Sequence, residues 1–195
     1  ILKRYEEGKV AELYALDVKV NGRHWRYAPC YYAMGLLAQA TTMMEGAKVR
    51  KKLNTGKMTP WYSLRTAEWW YLRHRKGIRL PGGSLNGAMM EVGATDYLAV
   101  NGPSVARIMK GGEYWRDTEE FGSTVQRLGK FWKMVRFGLA SVWKGIPLAE
   151  TKGDVIEFAE PSTVEMHVEG EYERMTDVKK VEVRKGEKSL KVIVG

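Results

Sequence analysis

Short stretches of the chain alternate apolar and polar residues, and this period of two is typical of half-buried β-strands. Residues 11–20 alternate in this way, and Asn21-Gly22 directly after them is a strong signal for a two-residue hairpin turn. We therefore predict a hairpin whose second strand covers residues 24–32. Further strands are predicted at residues 97–100, 121–128 and 154–158. Glu160-Pro161 should end the last of them.

The end of the chain contains three more runs with the pattern of strands. They cover residues 164–168, 180–184 and 190–194. Lys185-Gly186-Glu187-Lys188 separates the last two and predicts a hairpin turn. Glu169-Gly170-Glu171 follows the first run, and its glycine lets the backbone turn tightly, so that both carboxylates can be aimed at one point. An exposed acidic turn is the alternative interpretation.

Two stretches have the apolar spacing and the end signals of α-helices. The first begins with Thr59 as N-cap and Pro60 at the first helical position, and it ends near Lys76, before Gly77. The second covers residues 129–144. Its apolar residues Phe131, Val135, Leu139 and Val142 share one face.

The first of these helices has a basic C-terminal end. Arg73, Arg75 and Lys76 lie there, and Arg65 lies further back on the same helix. Cations near a helix C-terminus interact favourably with the helix dipole, which is a purely structural role. The functional interpretation is a helix at an anionic bilayer, with tryptophans at headgroup depth and these basic residues on lipid phosphates.

The composition fits one globular domain, or two small ones, because 44% of the 195 residues are hydrophobic and 28% are charged. The net charge of +9 favours an anionic partner: a membrane surface, a nucleic acid or a phosphorylated substrate. A basic surface without a specific partner is the alternative. Cys30 is the only cysteine, which excludes an internal disulfide. Ile1 is not a usual translation start, so we expect a fragment or a processed product.

The closing stretch resembles the end of the diacylglycerol kinase and sphingosine kinase family. That family ends with an Asp-Gly-Glu turn, a Val-x-Val strand and a Leu-x-Val-Leu-Val strand, which correspond here to 169–171, 181–183 and 190–194. The resemblance implies that Glu171 is the general base on a lipid hydroxyl. Glu169 replaces the aspartate of the turn, so the charge is kept on a longer arm.

Earlier motifs of the family follow in the same order. The stretch 16–22 is similar to the family's first strand pair, and Met34-Gly35-Leu36 stands where a turn leads into a helix, here to Lys48. Asn101-Gly102 ends a strand that borders the catalytic cleft in the family. The nearest counterpart of the family's acidic metal turn is 117–122. The resemblance assigns Asp117, Glu119 and Glu120 to Mg²⁺, and a solvated acidic turn is the alternative.

The resemblance covers nearly the whole chain but only half of such a kinase. It implies one domain over residues 1–195, similar to the C-terminal, lipid-binding domain of the family. The expected fold is β-rich α+β, a two-layer antiparallel β-sandwich with about three flanking helices. The family's nucleotide domain, with its Gly-Gly-Asp-Gly-Thr loop, is absent from this sequence. A complete kinase would use ATP and Mg²⁺, whereas no cofactor is expected for this chain alone.

Three functions follow as hypotheses. The first is the substrate half of a lipid kinase, cytoplasmic and peripheral at an anionic membrane, completed by a nucleotide-binding domain or a companion chain. The second is a binding or assembly module that has lost catalysis and acts as a homo-oligomer or within a larger particle. The third is a nucleic-acid binder, because basic residues are interleaved with Trp and Tyr.

Overall fold

The computed structural model describes residues 9–45, 60–74, 79–90, 93–105, 109–112, 114, 119–168 and 171–194. Within these ranges the chain forms twelve strands and three helices. The first six strands are β1 (Lys9–Val20), β2 (Arg23–Ala28), β3 (Tyr31–Gly35), β4 (Gly83–Leu85), β5 (Ala88–Met89) and β6 (Asp96–Val100). The others are β7 (Ser104–Val105), β8 (Met109–Lys110), β9 (Phe121–Gln126), β10 (Ala149–Thr151), β11 (Gly153–Val168) and β12 (Glu171–Val194). The helices are α1 (Leu36–Glu45), α2 (Pro60–His74) and α3 (Phe131–Trp143).

Ten strands of the described part form one hydrogen-bonded sheet, and β7 pairs with β8 outside it. The main order is β10-β9-β6-β3-β11-β12-β1-β2, and the β4-β5 hairpin joins the sheet at β11. Neighbouring strands run antiparallel in the described pairings. The sheet is therefore antiparallel, with some pairs formed by strands that follow each other in the chain and others by strands far apart in it. This agrees with the predicted antiparallel β-rich fold.

The long strands β11 and β12 fold this sheet into two layers. Their first pairing joins residues 153–157 to 180–184, and their second joins 162–168 to 171–178. The pairing register shifts between Glu157 and Val164, which lets both strands bend there. The two layers are therefore halves of one continuous sheet, and the predicted β-rich α+β fold is confirmed.

The main core fills the space between the two layers. It combines buried side chains of β1, β3, β6 and β9 with those of β11 and β12, and the largest of these are Tyr32, Tyr97, Phe121, Leu16, Met34, Ile156 and Met166. Burying one such aliphatic or aromatic side chain stabilises the fold by roughly 1.5–3 kcal/mol. A second, smaller core lies on the other face of β3 and β6, against Phe137 of α3.

The first hairpin has the turn that its sequence predicts. Asn21 and Gly22 have φ angles of 51° and 78°, and a type I′ turn requires positive φ at both positions. The Asn21 side chain also bonds β12, because its Nδ2 donates to the Asp177 carbonyl and its Oδ1 accepts from the Lys179 and Lys180 amides. The turn therefore ties the β1–β2 hairpin to β12.

The predicted helices are present, with different ends. The helix predicted at 59–76 is α2, and its predicted caps Thr59 and Gly77 lie outside the described residues. The helix predicted at 129–144 is α3. Helix α1 begins at Leu36, and the buried Asp96 carboxylate accepts the Leu37 amide at 2.5 Å, which satisfies one of its free N-terminal donors.

Three predicted boundaries are wrong. The strand predicted at 24–32 is two strands, β2 and β3, because the chain breaks at Pro29, which has no amide to donate. Strand β11 does not end at Glu160-Pro161, since the proline falls where the ladder is already irregular. No hairpin forms at 185–188. Strand β12 continues there, and residues 186–188 bulge opposite β1.

Candidate functional site

Glu171, the predicted general base, is the first residue of β12 and is largely exposed to solvent, with 67% of its side chain accessible. Its Oε2 forms an ion pair with Nη1 of Arg26 on β2. The same guanidinium lies 3.5 Å from Oε2 of Glu173 through its Nη2. Glu169 lies outside the described residues, so the paired-carboxylate arrangement stays a prediction.

A tryptophan completes this surface cluster. The indole N–H of Trp25 donates to Oε2 of Glu173 at 3.0 Å, and the Arg26 guanidinium lies 5.4 Å from the centre of the Trp25 ring. The four side chains therefore link β2 to the start of β12. Glu171 is thus exposed to solvent and paired with Arg26.

The predicted metal ligands are only partly described. Glu119 is exposed and its Oε2 lies 2.6 Å from Nζ of Lys152, Glu120 is half-buried, and Asp117 lies outside the described residues. Within the part of the chain that the structure describes, no group of three His, Cys, Asp or Glu side chains could hold a metal ion. Because Asp117 is not described, the assignment of these residues to Mg²⁺ stays a prediction.

The predicted membrane contacts lie on or beside α2. Arg65 and Arg73 are exposed, and the Arg73 guanidinium lies 5.2 Å from the ring centre of Trp69, which is exposed as well. Arg75 and Lys76 fall outside the described residues. None of the described helices is both long enough and apolar enough to cross a bilayer.

Two cavities that the sequence did not reveal lie on either side of the segment Arg79–Pro81. Cavity I has a volume of about 460 Å³ and lies between α2 and the face of β11 and β12. Cavity II, of about 750 Å³, lies between the β4–β5 hairpin and β11. The one sequence signal was the run of turn residues at 81–87, in which no phosphate-loop motif occurs.

Cavity II is lined mainly by apolar groups. They include Leu80, Pro81, Met89, Met90, Ala94 and Phe158. Gly83 lets β4 approach β11 here, because a Cβ atom at this position would stand 2.1 Å from the Glu157 carbonyl oxygen. A largely apolar pocket of this size is typical of small-molecule ligand sites.

Cavity I is lined by charged groups. Arg73 and Arg79 lie on one side, and Arg174 and Glu165 face each other on paired strands, with Nε of Arg174 3.5 Å from Oε1 of Glu165. Burial raises the pKa of the Glu165 carboxyl, and Arg174 acts in the opposite direction. Trp70 also lines the cavity and is only 3% exposed.

Asn101, which the resemblance places beside the catalytic cleft, is buried and has structural contacts. Its amide nitrogen donates to the carbonyls of Tyr14 at 2.8 Å and Pro29 at 2.6 Å. Its Oδ1 accepts from Nζ of Lys185, which also donates to the Tyr114 carbonyl at 2.7 Å. A second buried group, the Asp154 carboxylate, accepts the Tyr97 hydroxyl at 2.8 Å.

No protein-family model matches the sequence, and no curated protein matches it. Solved structures do match, and three of them are from Bacillus anthracis str. Sterne. Two are described as a "putative diacylglycerol kinase" and one as a diacylglycerol kinase. Their TM-scores are 0.52, 0.54 and 0.54, at 14% sequence identity in each case.

The match covers 96% of this chain but only 56%, 57% and 58% of the three Bacillus chains. This chain thus spans little more than half the length of the structures that it matches. At 14% identity the likeness concerns the fold and leaves substrate and catalysis open. The protein has a diacylglycerol kinase-like fold.

Proposed function

We propose that this chain is the substrate-binding half of a lipid kinase-like protein and that it corresponds to the C-terminal, lipid-binding domain of such kinases. The observation that carries the proposal is cavity II, a largely apolar pocket beside β4 and β11. The fold shared with diacylglycerol kinases over 96% of the chain supports the choice of a lipid as its ligand. Burial of an acyl chain in such a pocket contributes about 0.8 kcal/mol per CH₂ group.

Phosphoryl transfer to the lipid hydroxyl would need ATP, bound by a nucleotide-binding domain or a companion chain. In this proposal the Glu171 carboxylate takes the hydroxyl proton, the hydroxyl oxygen forms a bond to the γ-phosphorus, and the bond to the leaving ADP breaks. The exposure of Glu171 at a strand end supports the role, because a second domain can reach it there. Release of Glu171 from Arg26 would accompany the proton transfer.

A non-catalytic assembly module is the second candidate, and one surface favours it. Trp132, Leu139 and Trp143 are exposed on α3, and residues 7 and 11 positions apart lie on the same side of a helix. Exposed apolar patches of this kind mark sites of protein or membrane contact. In this function the ion pair between Arg26 and Glu171 would be a permanent structural link.

A binding experiment with a cavity-filling variant tests the first proposal. Ser84 lines cavity II from β4, so Ser84→Trp should fill the space that the lipid needs. Ser104 is exposed on β7 and lines neither cavity, which makes Ser104→Trp the matched control. The probe is dioctanoylglycerol below its aggregation concentration, titrated into the 195-residue chain and followed by tryptophan fluorescence and calorimetry.

We expect saturable binding by the parent chain and by Ser104→Trp, and binding at least tenfold weaker by Ser84→Trp. Absence of saturable binding to the parent chain would contradict the proposal, and so would equal affinity of the two variants. Circular dichroism of both variants checks that the added indole leaves the sheet intact. A Ser84→Trp chain that unfolds is replaced by Ala159→Trp, which narrows the same cavity from its exposed rim.

A further inference from the structure

Cavity I contains more positive charge than its own residues neutralise. Arg73, Arg79 and Arg174 line it, and Glu165 is the carboxylate among its lining residues. Setting His74 aside, three guanidinium groups therefore face one carboxylate. All three arginines are exposed to solvent, Arg174 with 67% of its side chain accessible, and basic groups gathered in one cleft focus an electrostatic field that attracts anions.

Within the part of the chain that the structure describes, the contacts of the three arginines leave hydrogen-bond donors available. Arg79 is exposed and makes no hydrogen bond or ion pair within the described ranges. Arg174 faces Glu165 through Nε, and its two terminal nitrogens have no ion-pair partner there. Arg73 is held over the Trp69 ring, which positions its guanidinium without using its hydrogen bonds.

A buried donor without a partner stands at the same place. Trp70, which lines cavity I, is only 3% exposed, and its indole N–H has no hydrogen-bond partner in the described structure. The ring is fixed, because His74 stacks on it at 5.1 Å and bonds to the Trp70 carbonyl at 2.8 Å through Nδ1. A buried donor without a hydrogen bond is unfavourable, so an acceptor that reaches it gains affinity.

We propose that cavity I is a binding site for a dianionic phosphate monoester, held by Arg73, Arg79 and Arg174 with the Trp70 N–H as a further donor. The charge of the lining selects the dianion, since three guanidinium groups less one carboxylate leave two positive charges. Arginine forks also match the geometry of phosphate oxygens. The site needs no catalysis by this chain, and it adjoins the apolar pocket proposed for a lipid tail through their shared lining residues Arg79, Leu80 and Pro81.

The phosphate can belong to a soluble ester or to a lipid headgroup. Arg79, Leu80 and Pro81 line both cavities, so a headgroup in cavity I could continue into an acyl chain in cavity II. Two probes separate these sources: glycerol 3-phosphate has the headgroup alone, and dihexanoyl phosphatidic acid adds two short chains. Similar affinities identify a soluble ester, and an affinity at least tenfold higher for the lipid identifies a headgroup.

Isothermal titration calorimetry of the 195-residue chain at fixed ionic strength tests the site. Arg79→Gln and Arg174→Gln each remove a guanidinium from the cavity. Arg184→Gln removes the same charge from an exposed position on β12 that lines neither cavity, and it is the matched control. Glu165→Gln removes the opposing carboxylate. Dimethyl phosphate, a monoanion, is the control ligand.

We expect saturable glycerol 3-phosphate binding that weakens about tenfold or more in Arg79→Gln and Arg174→Gln, as for loss of one charged hydrogen-bonding group. Arg184→Gln should bind like the parent, Glu165→Gln at least as tightly, and dimethyl phosphate more weakly. Absence of saturable binding of both probes would overturn the proposal. Equal losses in Arg79→Gln and Arg184→Gln would do so too, because they would show a response to net charge alone. Because Arg174 lines cavity I but not cavity II, Arg174→Gln should bind dioctanoylglycerol like the parent chain, which separates failure of this proposal from failure of the lipid proposal.

Discussion

At the scale of single residues, the cluster around Glu171 matters most for the proposed chemistry. The sequence could predict an exposed carboxylate at a strand end, because alternation and a glycine in the turn are local signals. It could not predict Arg26, which comes from a strand far away in the sequence and meets Glu171 only after the sheet has folded. The carboxylate is therefore accessible but already paired.

Glu171→Gln should abolish most of the activity without unfolding the chain. The amide keeps the shape of the side chain but accepts no proton, and general-base catalysis contributes typically 10²–10⁴-fold. The assay requires ATP, dioctanoylglycerol and the nucleotide-binding domain, added separately or fused. Glu173→Gln is the matched control, since Glu173 contacts the same arginine on the same strand. Activity of Glu171→Gln within a few-fold of the control would refute the assignment.

Two buried groups should give the stability opposite dependences on pH. His167 is 1% exposed, and burial lowers its pKa from 6.5 to about 4. Between pH 6.5 and 4 the His167 imidazole is protonated in the unfolded chain and neutral in the folded chain. The free energy of unfolding therefore falls as the pH is lowered from 6.5 to 4. Burial raises the pKa of Asp96 from 3.8 to about 7, against the hydrogen bonds from Leu37 and Thr95. The protonated Asp96 carboxyl therefore stabilises the fold at low pH, and this stabilisation is lost as the pH rises from 3.8 through about 7.

Single variants separate these two contributions. In His167→Leu only Asp96 still titrates with a raised pKa, so acidification from pH 7 to 4 should increase the free energy of unfolding relative to the parent. In Asp96→Asn only His167 still titrates with a lowered pKa, so the same acidification should decrease the free energy of unfolding. Urea unfolding at several pH values measures both slopes. Parallel pH profiles for the two variants would show that neither group titrates as its burial requires.

At the scale of elements, β12 shows where local sequence signals mislead. Lys185-Gly186-Glu187-Lys188 has the composition of a turn, yet the strand continues through a bulge there. Lys185 explains the difference, because its ammonium group bonds Asn101 Oδ1 and the Tyr114 carbonyl on the inner side of the bulge. These partners lie far from Lys185 in the sequence, so no local sequence pattern predicts the contacts.

Lys185→Met should destabilise the fold by about 1–3 kcal/mol, because it leaves buried acceptors without their donor. The methionine side chain is unbranched like that of lysine and only one atom shorter, so it keeps most of the volume and the loss is mainly one of hydrogen bonds. Lys179→Met, at an exposed position of the same strand, is the control and should change stability by less than about 0.5 kcal/mol. Urea unfolding measures the difference, and equal stability of the two variants would contradict this account of the bulge.

At the scale of the whole molecule, the order of motifs predicted the fold better than any one motif did. The strand-like runs predicted a β-rich chain, because patterning largely decides the class of fold, whereas the two-layer architecture was implied by the resemblance to the lipid-kinase family. The cavities did not follow. Cavity II forms where residues 79–90 pack against residues 157–159. Its size and shape depend on contacts between segments far apart in the sequence, so no local pattern predicts them.

The net charge of +9 predicts binding to anionic vesicles that weakens as salt increases. Each basic residue near such a surface contributes about 1 kcal/mol, so the double variant Arg65→Gln, Arg73→Gln on α2 should bind at least tenfold more weakly. The double variant Arg23→Gln, Arg184→Gln on the sheet has the same net charge and is the control. Sedimentation with neutral and anionic vesicles measures binding. Equal sedimentation with both lipids, or equal loss in both variants, would exclude this role of α2.

Photocrosslinking tests the central claim, that this chain binds a lipid in cavity II, most directly. A diacylglycerol with a diazirine on one acyl chain is irradiated with the 195-residue chain, and mass spectrometry locates the labelled residues. The account predicts labels concentrated on Met89, Met90 and Phe158, reduced by excess dioctanoylglycerol and by Ser84→Trp. Labels on the exposed residues Trp132 and Trp143 of α3 instead, or labels that excess lipid does not reduce, would contradict it.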